Sequence, residues 1–172
     1  MSEIIQRYPE FRQQHELAQK IDAAQHDYQQ AQAAAAKRAW ELKDWKTANE
    51  HAARADQNDP FILYVQGYAA IQRKDYARAG NAFFRKAADL GNPDAMLELG
   101  KLYMRRQFTA PENEMENWLR QAIAAGRQEA SLPLAEILRK GKRTEEAIEC
   151  LRQATYRGCA KAASHLGDLY AS

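Results

Sequence analysis

A pattern that recurs every 32 to 35 residues constrains this chain more than any other feature. Gly91, Gly126 and Gly158 are 35 and 32 residues apart, and equivalent alanines and leucines follow the same two spacings. A period of this length is typical of stacked helical hairpins, because one hairpin cannot bury its apolar face without a neighbour. The repeat therefore predicts an all-α array that presents a surface to a partner. The equivalent positions are Ala95, Ala130 and Ala162, and Leu99, Leu134 and Leu166.

The charge balance excludes a strongly basic or acidic chain. Among 172 residues, 25 are lysine or arginine and 23 are aspartate or glutamate, which gives a formal net charge of +2. We therefore expect no nucleic-acid partner, since that class of binding rests on a basic surface. The sequence has no run of about 18 apolar residues and no apolar segment behind a basic N-terminus. These observations predict a cytoplasmic protein without membrane insertion.

The N-terminal part differs in composition from the repeats. All eight glycines lie at or after Gly67, and the chain has no glycine or proline between Pro9 and Pro60. We assign residues 1–43 to an N-terminal helical region that includes the first helix of the first hairpin, and residues 44–172 to the repeat array. One long helix, or two with a break near Asp27, would fit the region. Its apolar seam has the 4-3 spacing of a coiled coil and consists of Leu17, Ile21, Ala24, Tyr28, Ala31 and Ala35.

That seam leaves two interpretations open. The helix packs on the first hairpin of the array, or it pairs with a second copy to form a homodimer. Its alanine-rich composition suits a close approach of two helices in both cases.

From residue 83 onward the sequence resembles Sel1-like repeats, a subfamily of the tetratricopeptide repeat (TPR) superhelices. The matching segments are FFRKAADLG at 83–91, AMLELGKLY at 95–103 and AASHLGDLY at 162–170. The middle copy departs from the pattern at Pro133, Ala135 and Leu138, and the proline is expected to kink its helix or delay its start. The segment from residue 44 to Pro60 resembles the second helix of a TPR hairpin whose first helix would be about residues 28–43, and residues 61–90 resemble the next hairpin, with Gly67 at a close helix contact.

The resemblance implies a right-handed α-α superhelix whose first helices line a concave groove. It also implies a bacterial adaptor or scaffold that binds a protein or peptide there. A second role implied by the resemblance is an immunity-type inhibitor that neutralises a toxin or effector by occlusion.

Residues that carry chemistry are sparse. The four histidines are scattered, and the cysteines Cys150 and Cys159 fit neither a zinc pattern nor a disulfide framework. The sequence has no nucleophile motif and no phosphate-binding loop. We therefore predict no enzyme activity, no metal and no cofactor. Cys150 is expected to be a buried apolar residue, and Cys159 to be the more accessible thiol.

Counting outward from the small residue of each first helix selects a candidate binding groove. Aromatic and aliphatic side chains would supply contact area, and basic side chains would bind acidic groups of a peptide. The selected residues are Trp40, Tyr64, Tyr68, Ile71, Lys101, Met104, Arg105 and Arg139, with Leu132, Glu136 and Asp168 at further equivalent positions.

Two further patterns accompany the groove. Basic pairs recur where each first helix ends, and they either face the acidic starts of the second helices or form a positive edge that attracts an acidic partner. Aromatic residues at equivalent repeat positions are predicted to pack in the core. The basic pairs are Lys37-Arg38, Arg73-Lys74, Arg105-Arg106, Arg139-Lys140 and Lys142-Arg143; the aromatic residues are Trp45, Tyr76, Phe83, Phe84, Tyr103 and Trp118.

Overall fold

The computed structural model describes residues 9–171, with helices and no strand in that part of the chain. The contacts within the chain divide it into two compact units, and the boundary in the sequence lies between Gln57 and Asn58. The first unit contains α1 (Pro9–Glu41) and α2 (Trp45–Ala52). The second contains α3 (Pro60–Gln72), α4 (residues 76–89), α5 (Pro93–Met104), α6 (Glu112–Ala124), α7 (Ser131–Lys140), α8 (Thr144–Tyr156) and α9 (Ala160–Ala171).

In the first unit, α1 is one continuous helix without a break near Asp27. Its C-terminal part packs on α2 through small residues, since Ala36, Ala39, Ala48 and Ala52 are all buried. A side-chain hydrogen bond from His51 to Gln32 (2.7 Å) marks how far along α1 this contact extends. The large residues of the seam lie before it and are exposed: Leu17 (59%), Ile21 (55%) and Tyr28 (51%).

In the second unit, the hairpins share one continuous apolar core. Leu99 and Leu134 are buried and Leu166 packs against the same cluster, so the repeated leucines occupy equivalent environments. Phe84 and Trp118 are buried as predicted, and Tyr76, Phe83 and Tyr103 pack partly against the core.

Trp45, which lies in the first unit, does not follow the core prediction. It is 38% exposed and makes an edge contact with the ring of Trp40, with ring centroids 4.6 Å apart. The reason is that only alanines are buried where α1 meets α2, which leaves no deep pocket for an indole.

Glycines of the first helices let the second helices approach. A Cβ at Gly67 would overlap the ring of Phe84, and a Cβ at Gly100 would lie 2.6 Å from Leu119 and 2.8 Å from Pro133. The close contact predicted at Gly67 is therefore confirmed. Pro133 lies in the first turn of α7 after a short 3₁₀ segment (Gln128–Ala130), so it delays the helix start rather than kinking the helix.

One irregularity was not predicted. The second helix of its hairpin, α4, is α-helical at Tyr76–Arg78 and Arg85–Asp89 and π-helical at Ala79–Phe84. The wider turn contains Gly80, where a Cβ would lie 2.5 Å from the ring of Phe108. The π-helical segment therefore coincides with a close packing contact.

Polar contacts between neighbouring hairpins keep the repeats in register. The Asn92 amide donates to the carbonyl of Pro60 (3.1 Å), 32 residues earlier. Arg127 binds the carboxylate of Asp94 in a bidentate ion pair, and the Lys161 ammonium lies 2.9 Å from Glu129. Each pair spans about one repeat, so successive hairpins stack in the same orientation.

The helix ends use left-handed residues in two distinct ways. Seven C-termini close with the same pair of backbone hydrogen bonds, the Schellman motif, around one residue of positive φ. Between hairpins that residue is Gly91, Gly126 or Gly158, and within hairpins it is a lysine or arginine. The basic set is Lys43, Lys74, Arg106 and Lys142, with φ between 57° and 61°.

The glycine turns yield a first prediction. Gly126 has φ +91° and no atom within 4 Å of a Cβ, so Gly126→Ala should lower the free energy of unfolding by about 1–2 kcal/mol through backbone strain alone. Gly167 has the same open space but lies inside α9, so Gly167→Ala should raise that free energy by about 0.5–1 kcal/mol. Urea unfolding of the two variants measures both effects, and equal shifts would contradict the assigned conformations.

Candidate functional site

A cleft lies between three first helices of the second unit. It has a volume of about 250 Å³ between α5, α7 and α9. Apolar side chains form most of its wall, with charged groups at its margin. We call it the first-helix cleft; its lining residues are Met104, Leu132, Ala135, Glu136, Arg139, Leu151, His165, Asp168 and Leu169.

The first-helix cleft can hold one apolar side chain of a partner. Met104 is 39% exposed, which is unusual for a methionine in a packed array, while Leu132 and Leu169 are partly buried against the core. Met104 has three flexible torsions and a polarisable sulfur, so it adapts to different apolar shapes. The cleft therefore offers contact area and no preformed catalytic geometry.

The charges at the margin are partly neutralised. The Arg139 guanidinium makes two hydrogen bonds to Glu136 (3.0 and 3.1 Å) on its own helix. His165 and Asp168 are exposed on α9. An incoming carboxylate would therefore compete with Glu136 for Arg139, which weakens the acid-binding role predicted for that residue.

The structure separates the other predicted groove residues. Lys101 makes an ion pair with Glu98 (2.7 Å) on its own helix, so it is also neutralised. Arg105 follows Met104 at the end of α5, is exposed and makes no ion pair within residues 9–171. Met104 and Arg139 line the first-helix cleft, and Lys101 and Arg105 do not.

The residues predicted on α3 are partly buried. The Tyr64 ring packs on Phe84, with centroids 5.9 Å apart. Burial, together with the charges of Glu98 and Asp94, raises the pKa of Tyr64. Ile71 packs against the core, and Tyr68 is partly exposed. None of the three lines the first-helix cleft.

Trp40 lies in the first unit and packs on Trp45 there. Counting from the small residues missed His165 and Leu169, because the cleft forms between adjacent first helices and includes side chains that point toward the neighbouring helix. The repeat spacing would select these two residues only if the count also included the positions of each first helix that face the neighbouring first helix.

The basic corners differ from one another in their partners. The Arg143 guanidinium makes ion pairs with Glu116 (2.8 Å) and Glu146 (2.6 Å), as the prediction of paired corners requires. Arg139 and Lys140 pair with Glu136 of their own helix. The five other corner cations of the second unit are exposed and make no side-chain hydrogen bond or ion pair within the described residues. Pairing with acidic helix starts is therefore wrong for them: Arg73, Lys74, Arg105, Arg106 and Lys142.

Other chemistry-bearing groups do not form a cluster. Among residues 9–171, no three histidine, cysteine, aspartate or glutamate side chains lie close enough to hold a metal ion. Burial raises the pKa of the Cys150 thiol to about 11, and the half-buried Cys159 lines a second cavity of about 460 Å³ between hairpins. No helix in the described residues is long and apolar enough to cross a membrane.

Solved structures with the same architecture define the fold. The crystal structure of a Sel1 repeat protein from Oxalobacter formigenes has a TM-score of 0.60 and 22% identity over 78% of this chain. Residues 41 to the end of MamA from Desulfovibrio magneticus RS-1 give a TM-score of 0.59 and 24% identity, covering 83% of this chain and 84% of that one. This chain has a Sel1/TPR-like repeat fold.

A further crystal structure of MamA gives a TM-score of 0.59 at 17% identity, over 84% of this chain. The chain spans 59% of the length of the Oxalobacter Sel1 repeat protein. No protein-family model matches the sequence, and no curated protein matches it either.

The paired corner yields a prediction about pH. Hydrogen bonds from Arg143 and Arg120 hold the pKa of Glu116 below its ordinary value of 4.5. The stabilisation is therefore present at neutral pH and is lost as the pH falls below about 4.5 and through the lower folded-state pKa. Because the arginines are partly exposed, Glu116→Gln should cost about 1 kcal/mol or less at pH 7 and flatten the acid dependence of the unfolding free energy.

Glu145→Gln is the matched control, since Glu145 is exposed at the start of the next second helix and makes no ion pair within the described residues. Urea unfolding between pH 7 and 3 measures both variants. If the unfolding free energy of Glu116→Gln depended on acid pH as that of the wild type does, the Glu116 ion pair would not contribute to acid unfolding.

Proposed function

We propose that this protein is a non-catalytic protein-interaction module that binds a partner protein or peptide on its first-helix face, the predicted concave groove. The observation that supports this is the first-helix cleft, which combines an apolar wall with an exposed methionine and polar margins. Apolar anchors that enter such clefts supply much of the energy of protein association. The Sel1/TPR-like fold agrees with a binding role.

The proposal assigns unequal roles to the predicted groove residues. Met104 contacts the partner directly, and Arg105 beside it reads acidic groups because no carboxylate of the described chain occupies it. Tyr64 and Ile71 support the floor of the groove from below. Arg139 holds the Glu136 carboxylate in place at the margin of the cleft by two hydrogen bonds. We also propose a cytoplasmic location on the sequence evidence, and an adaptor or scaffold role in a bacterium.

Photo-crosslinking in a lysate of the native organism tests the groove. A photoreactive phenylalanine analogue at Met104 should capture a defined partner, and the same analogue at Gln121 of α6, a second helix, should not. With the analogue kept at Met104, the added substitutions Leu132→Glu/His165→Lys in the cleft should abolish capture. Their control, Gln121→Glu/Asn117→Lys, introduces the same charges on the exposed face of α6 and should leave capture intact.

Capture at Gln121 in preference to Met104 would contradict binding on the first-helix face. The recovered partner also separates adaptor from inhibitor. A toxin or effector that loses its activity when saturated with this protein would establish the immunity-type role, whereas a partner that stays active would establish an adaptor.

A second surface supports a proposal of self-association. The helix α1 has 33 residues and is therefore about 50 Å long, yet residues 12–28 are exposed along its whole circumference. The apolar seam of this helix has coiled-coil spacing, and its large residues are exposed. We therefore propose that α1 pairs with α1 of a second copy through Leu17, Ile21 and Tyr28.

Mass measurement on serial dilution tests this pairing. The wild type should change from dimer to monomer in light scattering or sedimentation equilibrium, and Leu17→Glu/Ile21→Glu should be a monomer throughout. Gln19→Glu/Ala23→Glu places the same two charges on the opposite side of α1 and should behave as the wild type. A wild type that is monomeric at every concentration would overturn the proposal.

A further inference from the structure

Each of the three within-hairpin turns of the second unit has a lysine or arginine at its left-handed position, where glycine would adopt the same backbone conformation with less strain. Lys74, Arg106 and Lys142 have left-handed backbone conformations, which L-residues with a Cβ adopt at an energetic cost. The turns between hairpins have the same hydrogen bonds and use glycine at each equivalent position. The chain therefore places basic residues at one edge against the local backbone preference.

Folding contacts do not account for these cations. Their side chains are exposed and make no ion pair or hydrogen bond within the described residues. The helix dipole favours a cation at a C-terminus, but it would favour one equally at the ends of α4, α6 and α8, where glycine is found instead. A helix-end effect common to both edges cannot explain a difference between them.

The free cations contrast with the paired ones on the first helices and the turns between hairpins. There, Lys101 is paired with Glu98, Arg139 with Glu136, and Lys161 with Glu129. Asp75 follows Lys74 in the turn between α3 and α4. Its carboxylate caps the start of α4 by accepting a hydrogen bond from the backbone N–H of Arg78 (3.1 Å). Five of the cations in this unit that make no ion pair within the described residues therefore lie at the corners, and the others are Arg78, Lys86 and Arg157.

The corners that follow α5 and α7 lie beside the first-helix cleft. The Lys140 ammonium is 5.4 Å from the ring centroid of Tyr103, which brings the C-terminal ends of α5 and α7 together. Met104 and Arg139 line the cleft, and the free cations Arg105, Arg106 and Lys142 follow them within a few residues. An occupant of the cleft thus has positive charge on the side where these helices end.

We propose that the corner cations Arg73, Lys74, Arg105, Arg106 and Lys142, here named the corner edge, bind an acidic segment of a partner protein whose apolar side chain fills the first-helix cleft. The inference rests on the proposed function, because it names the chemistry of the segment bound there. Charge complementarity selects the acidic residues, and the apolar wall selects the anchor. A nucleic acid would meet the charges but leave the apolar cleft unused, and the chain's net charge is only +2.

Glycine substitutions at the left-handed positions test whether the corner edge binds the acidic segment, and they should leave the protein folded. The variant Lys74→Gly/Arg106→Gly/Lys142→Gly removes three charges and relieves three left-handed residues, so its melting temperature should equal or exceed that of the wild type. The control Lys20→Gln/Lys46→Gln/Arg157→Gln removes three exposed cations from outside the corners.

The probes are short synthetic peptides measured by fluorescence anisotropy at physiological salt. A peptide with a central leucine flanked by glutamates should bind the wild type and the control, and should bind the glycine variant at least about tenfold more weakly. Replacing its glutamates with glutamine, or its leucine with serine, should weaken binding by a similar factor. A single-stranded oligonucleotide should bind more weakly than the acidic peptide.

Equal binding of the acidic peptide to wild type and glycine variant would overturn the inference, as would equal binding of the glutamine peptide, tighter binding of the oligonucleotide, or no binding of any peptide. Photo-crosslinking from Met104 keeps the two proposals apart. If the glycine variant still captures the same partner in full, the groove proposal holds and the acidic segment is excluded. If Met104 captures nothing in either protein, the groove proposal itself fails.

Discussion

The close approach of first and second helices at small residues is the contact on which the second unit depends. Gly67 accommodates the ring of Phe84, and Gly100 accommodates Leu119 and Pro133. A side chain at these two glycines would push a second helix away from the core, so the α3–α4 and α5–α6 hairpins close because the first helix lacks a Cβ there. The next first helix, α7, has the small residue Ala135 at this position. Once the hairpins close, their apolar faces form one core and the ion pairs of neighbouring repeats, such as Arg127 with Asp94, come into register.

Stacking in register also decides which charges remain available to a partner. Cations along the first helices meet carboxylates of their own helix or of a neighbouring repeat, and the resulting pairs neutralise most of the predicted groove. Five corner cations meet no carboxylate within the described residues, namely Arg73, Lys74, Arg105, Arg106 and Lys142, whereas Arg143 pairs with Glu116 and Glu146. In the proposed function, apolar contact in the cleft and electrostatic attraction at the corner edge are therefore separated in space.

The repeat made the fold predictable to a large extent. Glycine spacing and the aromatic positions of the repeats were sufficient for the hairpins, the contact at Gly67 and the burial of Trp118, all of which are local or one repeat apart. The site was less predictable. Counting selected Met104 and Arg139, which line the first-helix cleft, and also Tyr64 and Ile71, which are partly buried against the core.

The sequence by itself determined the period and, with it, the all-α hairpins. Apolar and small residues that recur at this period are buried when helical hairpins stack on one another. Only the tertiary structure decided which cations are free, since Arg143 and Lys142 are neighbours in sequence and differ in whether a carboxylate of another helix lies within reach. It also decided that the seam of α1 stays exposed before Gln32, because α2 is too short to cover it. Pairing and exposure depend on distances between helices, and the order of residues along one helix does not contain those distances.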